Sequence, residues 1–199
     1  MSFILRARIV PAILFLMMTI AAFGSRLPEA RELPSNSVYR LDLALVDQNA
    51  QAWKLADLRG GPVLIAMFYS SCKYVCPLII NALQRTERAL SDGERAHLRV
   101  VMVSFDPKRD TPAALKTVAD ERHVDQTRWK LTRTDAINVR KLAAVLDVQY
   151  RALDNGEFNH SSVITLLDSE GRIVTRSDRM GELDSALVMA VQHAIAGTH

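Results

Sequence analysis

Val63-Leu64-Ile65-Ala66-Met67-Phe68-Tyr69-Ser70-Ser71-Cys72-Lys73-Tyr74-Val75-Cys76-Pro77-Leu78-Ile79 is the stretch on which the fold turns. Its first seven residues form an uninterrupted apolar run, as expected of a central strand buried on both faces. Its last part carries proline, which is favoured at the first position of a helix, so Cys76 is expected near the N-cap. Leu78, Ile79, Ala82, Leu83 and Leu90 continue at helical spacing until Ser91-Asp92-Gly93, read as the stop. A cysteine pair between a buried strand and a helix N-terminus points to the thioredoxin-like class. The spacing is one residue longer than the redox C-x-x-C.

Outward from this segment, strands and helices alternate. Val38–Ala44 and Ala52–Leu55 flank Asp47-Gln48-Asn49-Ala50 as a hairpin. Leu98–Phe105 reads as a second buried strand, and Thr111-Pro112 opens a helix. Trp129–Thr132 reads as a short strand and Asp135–Leu146 as a helix. Ser162–Asp168 and Arg172–Arg176 form a hairpin around Ser169-Glu170-Gly171. Gly181–Ala196 closes the chain as a helix with Leu183, Leu187, Val191 and Ile195 inward. The expected fold is an α/β, thioredoxin-like sandwich: a central mixed sheet flanked by helices, with an N-terminal hairpin extension.

The 199 residues suit one domain plus a short extra segment. With 49% apolar and 24% charged residues the chain is globular in composition. A net charge of +3, without a basic stripe carrying interleaved aromatics, excludes nucleic acid as an expected partner. Arg6 and Arg8 precede an uncharged run from Ile9 to Phe23 that ends at Gly24-Ser25, the layout of a secretory signal. Residues 1–25 are therefore read as a signal peptide or, if uncleaved, a membrane anchor, 26–37 as a linker and 38–199 as the folded domain. The expected location is the periplasm, free or anchored to the inner membrane and facing the periplasm.

Export changes the meaning of the cysteines. In an oxidising compartment two neighbouring thiols form a disulfide unless a reductant or a metal intervenes. Cys72 and Cys76 are the only cysteines in the chain. A bridge across so small a loop adds limited stability. The pair therefore reads as a reversible disulfide, a metal clasp, or both. The helix N-terminus favours thiolate over thiol, and Lys73 adds to this if its ammonium folds back. Residues four apart around one turn lie roughly 6 Å apart at Cα, within reach of a disulfide or of one shared ion.

Two thiolates rarely complete a metal site. Of five histidines, His199 is terminal, His193 lies on the closing helix, and His97 and His123 follow helices in charged surroundings. His160 stands apart, between the polar stretch Asp154-Asn155-Gly156-Glu157 and a strand. Two thiolates with one imidazole suit copper, whereas structural zinc asks for four protein ligands. The Asp106-Pro107-Lys108-Arg109-Asp110-Thr111-Pro112 turn reads as architecture: a proline-fixed bend, an Arg109–carboxylate pair and a helix cap. Met67 and Met102 read as core, and Tyr69 and Tyr74 as flanking the site.

Several of these stretches together resemble the SCO/SenC family of exported, thioredoxin-fold proteins. They are Asp57-Leu58-Arg59-Gly60; Cys72-x-x-x-Cys76-Pro77; Val103-Ser104-Phe105-Asp106-Pro107-Lys108-Arg109-Asp110-Thr111-Pro112; and His160-Ser161-Ser162 with Leu167-Asp168-Ser169-Glu170-Gly171. The resemblance runs over roughly residues 38–197. It implies Cys72, Cys76 and His160 as ligands of a copper ion, Cu(I) or Cu(II). It also implies a client such as an apo oxidase subunit, or another exported copper enzyme, served by copper delivery or by preparation of its copper site. An upstream copper donor or thiol reductant is a further implied partner. The chain departs from the family's usual pattern at Lys73, where many relatives carry Pro, and at Asn159, where many carry Asp. Enzymatic activity is expected only as the alternative function, thiol–disulfide reduction of client cysteines by Cys72 and Cys76. A peroxiredoxin-like peroxidase lacks its Thr and Arg pocket around Ser70-Ser71-Cys72. A redox sensor signalling through a partner interface is a fourth reading of the pair.

Overall fold

The computed structural model describes residues 32–198. The leader or anchor assigned to residues 1–25, and the linker as far as residue 31, lie outside the described residues. Among the described residues no helix is long and apolar enough to cross a membrane.

Six consecutive buried residues mark β3, Val63–Phe68, as an interior strand of the sheet. A strand buried throughout needs cover on both faces, which is what helices on the two sides of a sheet provide. Its neighbour β4, Arg99–Ser104, runs parallel in register, Val63 beside Arg99 through Phe68 beside Ser104. Parallel pairing needs a crossover, and α1 (Val75–Arg88) with α2 (Asp92–His97) supplies it. α3, Pro112–Glu121, carries the chain on to β5, Trp129–Arg133, again parallel to β4. β1 (Ala44–Asp47) and β2 (Ala52–Lys54) form a hairpin on the far side of β5. α4, Ala136–Leu146, follows β5. On the other side of β3, β8 (Ile164–Leu167) and β9 (Ile173–Ser177) complete a seven-stranded mixed sheet in the order β2-β1-β5-β4-β3-β8-β9. α5, Ser185–Ala196, packs on β8 and β9, and α3 on β1 and β5. The expected mixed-sheet sandwich is therefore present, and Met67 and Met102 lie in its core.

Several boundaries differ from the sequence reading, each for a local reason. Val38–Arg40 is a short 3-10 helix, and the strand starts only at Ala44. The Val38 N–H donates to the Gly171 carbonyl at 2.8 Å and the Ser37 hydroxyl to the Glu170 carbonyl at 2.6 Å, which binds this segment to the β8–β9 turn. Gly171 has φ +78, and a Cβ there would come within 2.6 Å of the Tyr39 ring. α1 begins at Val75, two residues before Pro77, so Cys76 lies inside the first turn. Proline is tolerated there because first-turn N–H groups have no helical acceptor. Ser91-Asp92-Gly93 does not end α1; Ser91 is the N-cap of α2 in a reciprocal capping box with Glu94. The closing helix starts at Ser185 behind the Asp184 cap, and Leu183 is 43% exposed instead of packed. Last, β6 (Tyr150–Ala152) and β7 (Phe158–His160) form a separate two-stranded sheet. Three-residue strands rich in polar residues give no alternation to read.

The parallel strands β3 and β4 end side by side. Beyond Phe68 comes the cysteine loop, and beyond Ser104 the Asp106–Asp110 turn. The carboxyl ends of parallel strands are where open α/β sheets bind ligands.

Candidate metal centre

Cys72 sits at the end of a turn whose Cys72 N–H donates to the Tyr69 carbonyl at 3.3 Å. The chain then bends into α1, so that the N–H groups of Tyr74, Val75 and Cys76 converge on the Cys72 sulfur; the Cys76 N–H reaches it at 3.4 Å. Cys76 is buried and Cys72 half-buried, and both are free thiols. Cys72 is pushed down to about 4, chiefly because the Cys76 S–H donates to it, then because of the three loop amides, against the opposing effect of burial. The same bond and its own burial push Cys76 well up. At neutral pH the pair is thus a Cys72 thiolate and a Cys76 thiol sharing one proton. Lys73 is exposed, and the stabilisation rests on Cys76 and the loop amides.

His160 ends β7, opposite Tyr150. Its Nδ1 lies 3.0 Å from the Ser161 carbonyl oxygen. A carbonyl only accepts, so Nδ1 carries the proton and Nε2 keeps a free lone pair. The ring is held by aromatic contacts. The Phe105 centroid is 4.9 Å away and the Tyr69 centroid 5.9 Å, the latter edge-on at 85°. One ligand atom each from Cys72, Cys76 and His160 lie within 4.8 Å of one another. Bonds of ~2.0–2.3 Å draw ligands to about 3.5–4 Å apart, so closing around an ion asks for about 1 Å of inward movement at most. The three residues could hold a metal ion. His193, His97 and His123 are exposed.

A cleft of about 430 Å³ opens over Cys72 between the cysteine loop and β7, lined by Tyr69, Tyr74, Val75, Phe158 and His160 among others. Tyr69 is buried and its hydroxyl donates to Glu157 at 2.6 Å. Burial first, and the Glu157 carboxylate next, push its phenol up. Tyr74, in contrast, stands 82% exposed at the mouth.

Sequence reasoning treated the Asp106–Asp110 turn as architecture, and part of that holds. Thr111 caps α3 by accepting from the Ala114 N–H at 3.2 Å, Pro112 occupies the first helical position, and Arg109 pairs with Asp106. Asp110 does something else. Fully buried, it accepts from the Ser70 N–H at 3.0 Å and from the hydroxyls of Ser70 and Ser104. It therefore ties the entrance of the cysteine loop to the end of β4. No local pattern announces this, because its partners come from two other segments.

Alkylation of the reduced protein should fall on Cys72 and spare Cys76. The Cys72 rate should stay flat from about pH 5.5 to 8, since the thiolate is already formed, and decline only as pH falls through about 4. An ordinary thiol of pKa about 8.5 would slow roughly tenfold per unit of acidification over the same range. Rates of iodoacetamide labelling at each site, read by peptide mass, check this. A tenfold rise per pH unit between 6 and 8 would refute the shared-proton pair.

A family model described as SCO1/SenC matches residues 32–196 of the chain. A Stutzerimonas stutzeri protein, named for a proposed copper-binding role, is 33% identical over 91 residues, covering 46% of this chain and 41% of that protein. An SCO2-like protein of Rickettsia felis is 26% identical over 137 residues, 66% of this chain and 65% of that one. The chain thus spans less than two thirds of the length of each of these relatives. Among solved structures, a proposed electron transfer protein of Aquifex aeolicus superposes with a TM-score of 0.72 at 25% identity, covering 81% of this chain and 94% of its own. ScoI of Bradyrhizobium japonicum, solved with copper bound, superposes at 0.62 with 24% identity, covering 78% and 94%; at that identity the likeness is one of fold.

Proposed function

This chain belongs to the SCO1/SenC family, and we propose that it is an exported copper carrier. In this reading Cys72, Cys76 and His160 hold one copper ion and pass it to an exported copper enzyme, cytochrome oxidase being the leading client. The observation that carries it is the convergence of two sulfurs and an imidazole within 4.8 Å, with Nδ1 committed to a carbonyl and Nε2 left free. Two soft sulfurs and one nitrogen suit copper, and the set falls one short of the four ligands of structural zinc. The copper named for relatives supports the same choice.

The ion is cargo. On loading, Cys76 loses its proton and Cys72, already ionised, loses none, so about one proton is released per ion. On transfer an incoming client thiolate or imidazole replaces His160, then Cys72, and last Cys76, which takes its proton back. Anaerobic titration of the reduced protein with Cu(I) should saturate at one equivalent per chain and release about one proton at pH 7. Either Cys→Ser variant should lose most of the affinity. Saturation at another ratio, or unchanged affinity in both variants, would end this reading.

One observation favours a second activity of the same pair. A half-exposed thiolate beside a buried thiol is the arrangement that attacks a client disulfide. Cys72 forms the mixed disulfide, and Cys76 then gives up its proton and closes the Cys72–Cys76 bridge. The client leaves as a dithiol, two electrons richer, with one proton from Cys76 and one from water. An exported dithiol donor must then reduce the bridge. This route needs both cysteines and is indifferent to His160.

A further inference from the structure

Among the described residues, the hairpin that carries His160 shares no backbone ladder with the main sheet. An isolated two-stranded hairpin is marginal in water. The position of the imidazole over the sulfurs therefore depends on what tethers this hairpin. Tyr150, Phe158 and His160 pack on Phe105 and Tyr69, and beside that packing stand two polar tethers: the Tyr69–Glu157 hydrogen bond and Arg109.

The Arg109 side chain joins two segments. Its Nε donates to Asp106, whose side chain is 8% exposed, and its Nη2 donates to the carbonyl of Gly156 at the tip of the hairpin. The guanidinium also lies 5.8 Å from the centroid of Phe158, on β7. The base of this reach is rigid. The Asp106 N–H donates to the Ser104 hydroxyl at 2.9 Å, and the N–H groups of Arg109 and Asp110 donate back to the Asp106 carbonyl at 3.2 and 3.0 Å. At the other end Gly156 has φ +81, and a Cβ on it would come within 3.2 Å of Arg109 Nη1. Glycine is therefore favoured by the backbone conformation, and a Cβ there would crowd the guanidinium. The turn holds the cysteine loop through Asp110 and the histidine hairpin through the adjacent Arg109. A single rigid piece spans both halves of the site.

We propose that Arg109 is a positioning residue for His160: it holds the hairpin closed so that the imidazole stands over the sulfurs, and its release from Gly156 accompanies withdrawal of the imidazole during transfer. The second clause rests on the copper-carrier reading; the first does not. The role needs the planar fork of arginine, since two donors must point to Asp106 and Gly156 at once. A lysine retains the charge but offers a single point. At 45% exposed, the side chain can detach without breaching the core.

Two measurements on the full chain test this. In the reduced, metal-free protein, amide exchange in the 150–160 hairpin should quicken roughly tenfold or more in Arg109→Ala and in Arg109→Lys. Cys72 alkylation should keep its wild-type rate in both. With Cu(I) bound, release to a chelator should quicken by a similar factor. In a His160→Ala background the Arg109 substitution should add nothing, because the two act through one contact. Asp106→Ala, which removes the anchor of the guanidinium and leaves the hairpin backbone unstrained, should reproduce both effects should Arg109→Ala fold poorly. Wild-type hairpin exchange in Arg109→Ala, or in Asp106→Ala where that variant must serve, overturns the proposal. So does accelerated release that persists without His160, or full rescue by lysine. If the wild-type chain binds no copper, the carrier reading falls, and the exchange measurement still judges Arg109.

Discussion

Replacing His160 with alanine is expected to weaken copper binding by more than about a hundredfold, because loss of a partner outside the ligand set alone costs roughly 10–100-fold. The same variant should keep Cys72 reactive and the fold intact. The ring is half-buried and its hydrogen bond is to a neighbouring carbonyl, so its removal forfeits ring contacts with Phe105 and Tyr69 and exposes no buried charge. Destabilisation should stay near 1 kcal/mol. Competition against a Cu(I) chelator, run beside thermal unfolding, separates the two quantities. The variant also splits the two proposed activities: copper retention needs the imidazole, whereas reduction of a disulfide substrate should proceed at the wild-type rate. Wild-type copper affinity in this variant would remove the three-residue site and leave dithiol exchange alone.

The second large effect is on stability. Asp110→Ala is expected to cost about 3 kcal/mol, since the Ser70 N–H and the Ser70 and Ser104 hydroxyls lose their common acceptor in a fully buried position. For a domain of this size that corresponds to a melting temperature lower by roughly 6–12 °C. Asp110→Asn should recover part of the loss, because an amide oxygen still accepts one bond and its NH₂ can donate to a serine oxygen. The cysteine loop should loosen as well, with Ser70 no longer held to the end of β4. Calorimetry of the two variants beside the wild type decides the point. A melting temperature within about 2 °C of wild type for Asp110→Ala would show that the carboxylate is not the tie described here.

How much of this could be read in one dimension follows from the range of each force. The buried run Val63–Phe68 and the helical spacing of α1, α4 and α5 act over a few residues, and each of these elements is present, α1 ending at Arg88 and α5 starting only at Ser185. Boundaries failed where a partner far along the chain intervened, as at Val38, held by Gly171. The β6–β7 hairpin escaped because its strands are three residues long and stand apart from the main sheet. The cysteine pair was visible from composition and spacing. His160 was singled out by its place before a strand and by family resemblance. From sequence Tyr69 reads only as flanking the site, Arg109 and Asp110 as pairing and capping, and Glu157 as one residue of a polar stretch, since what they tie together comes from segments distant in sequence.

The succession of the main-sheet strands, the four-residue cysteine spacing and the proline beside it were determined by the sequence itself, because propensity, periodicity and turn chemistry are settled among near neighbours. Only the tertiary structure decided that an imidazole from a detached hairpin stands over two sulfurs at a strand end. That meeting depends on a tyrosine, an arginine and a ring of aromatic side chains from separate segments. Their bonds form only once the sheet has brought the carboxyl ends of β3 and β4 together.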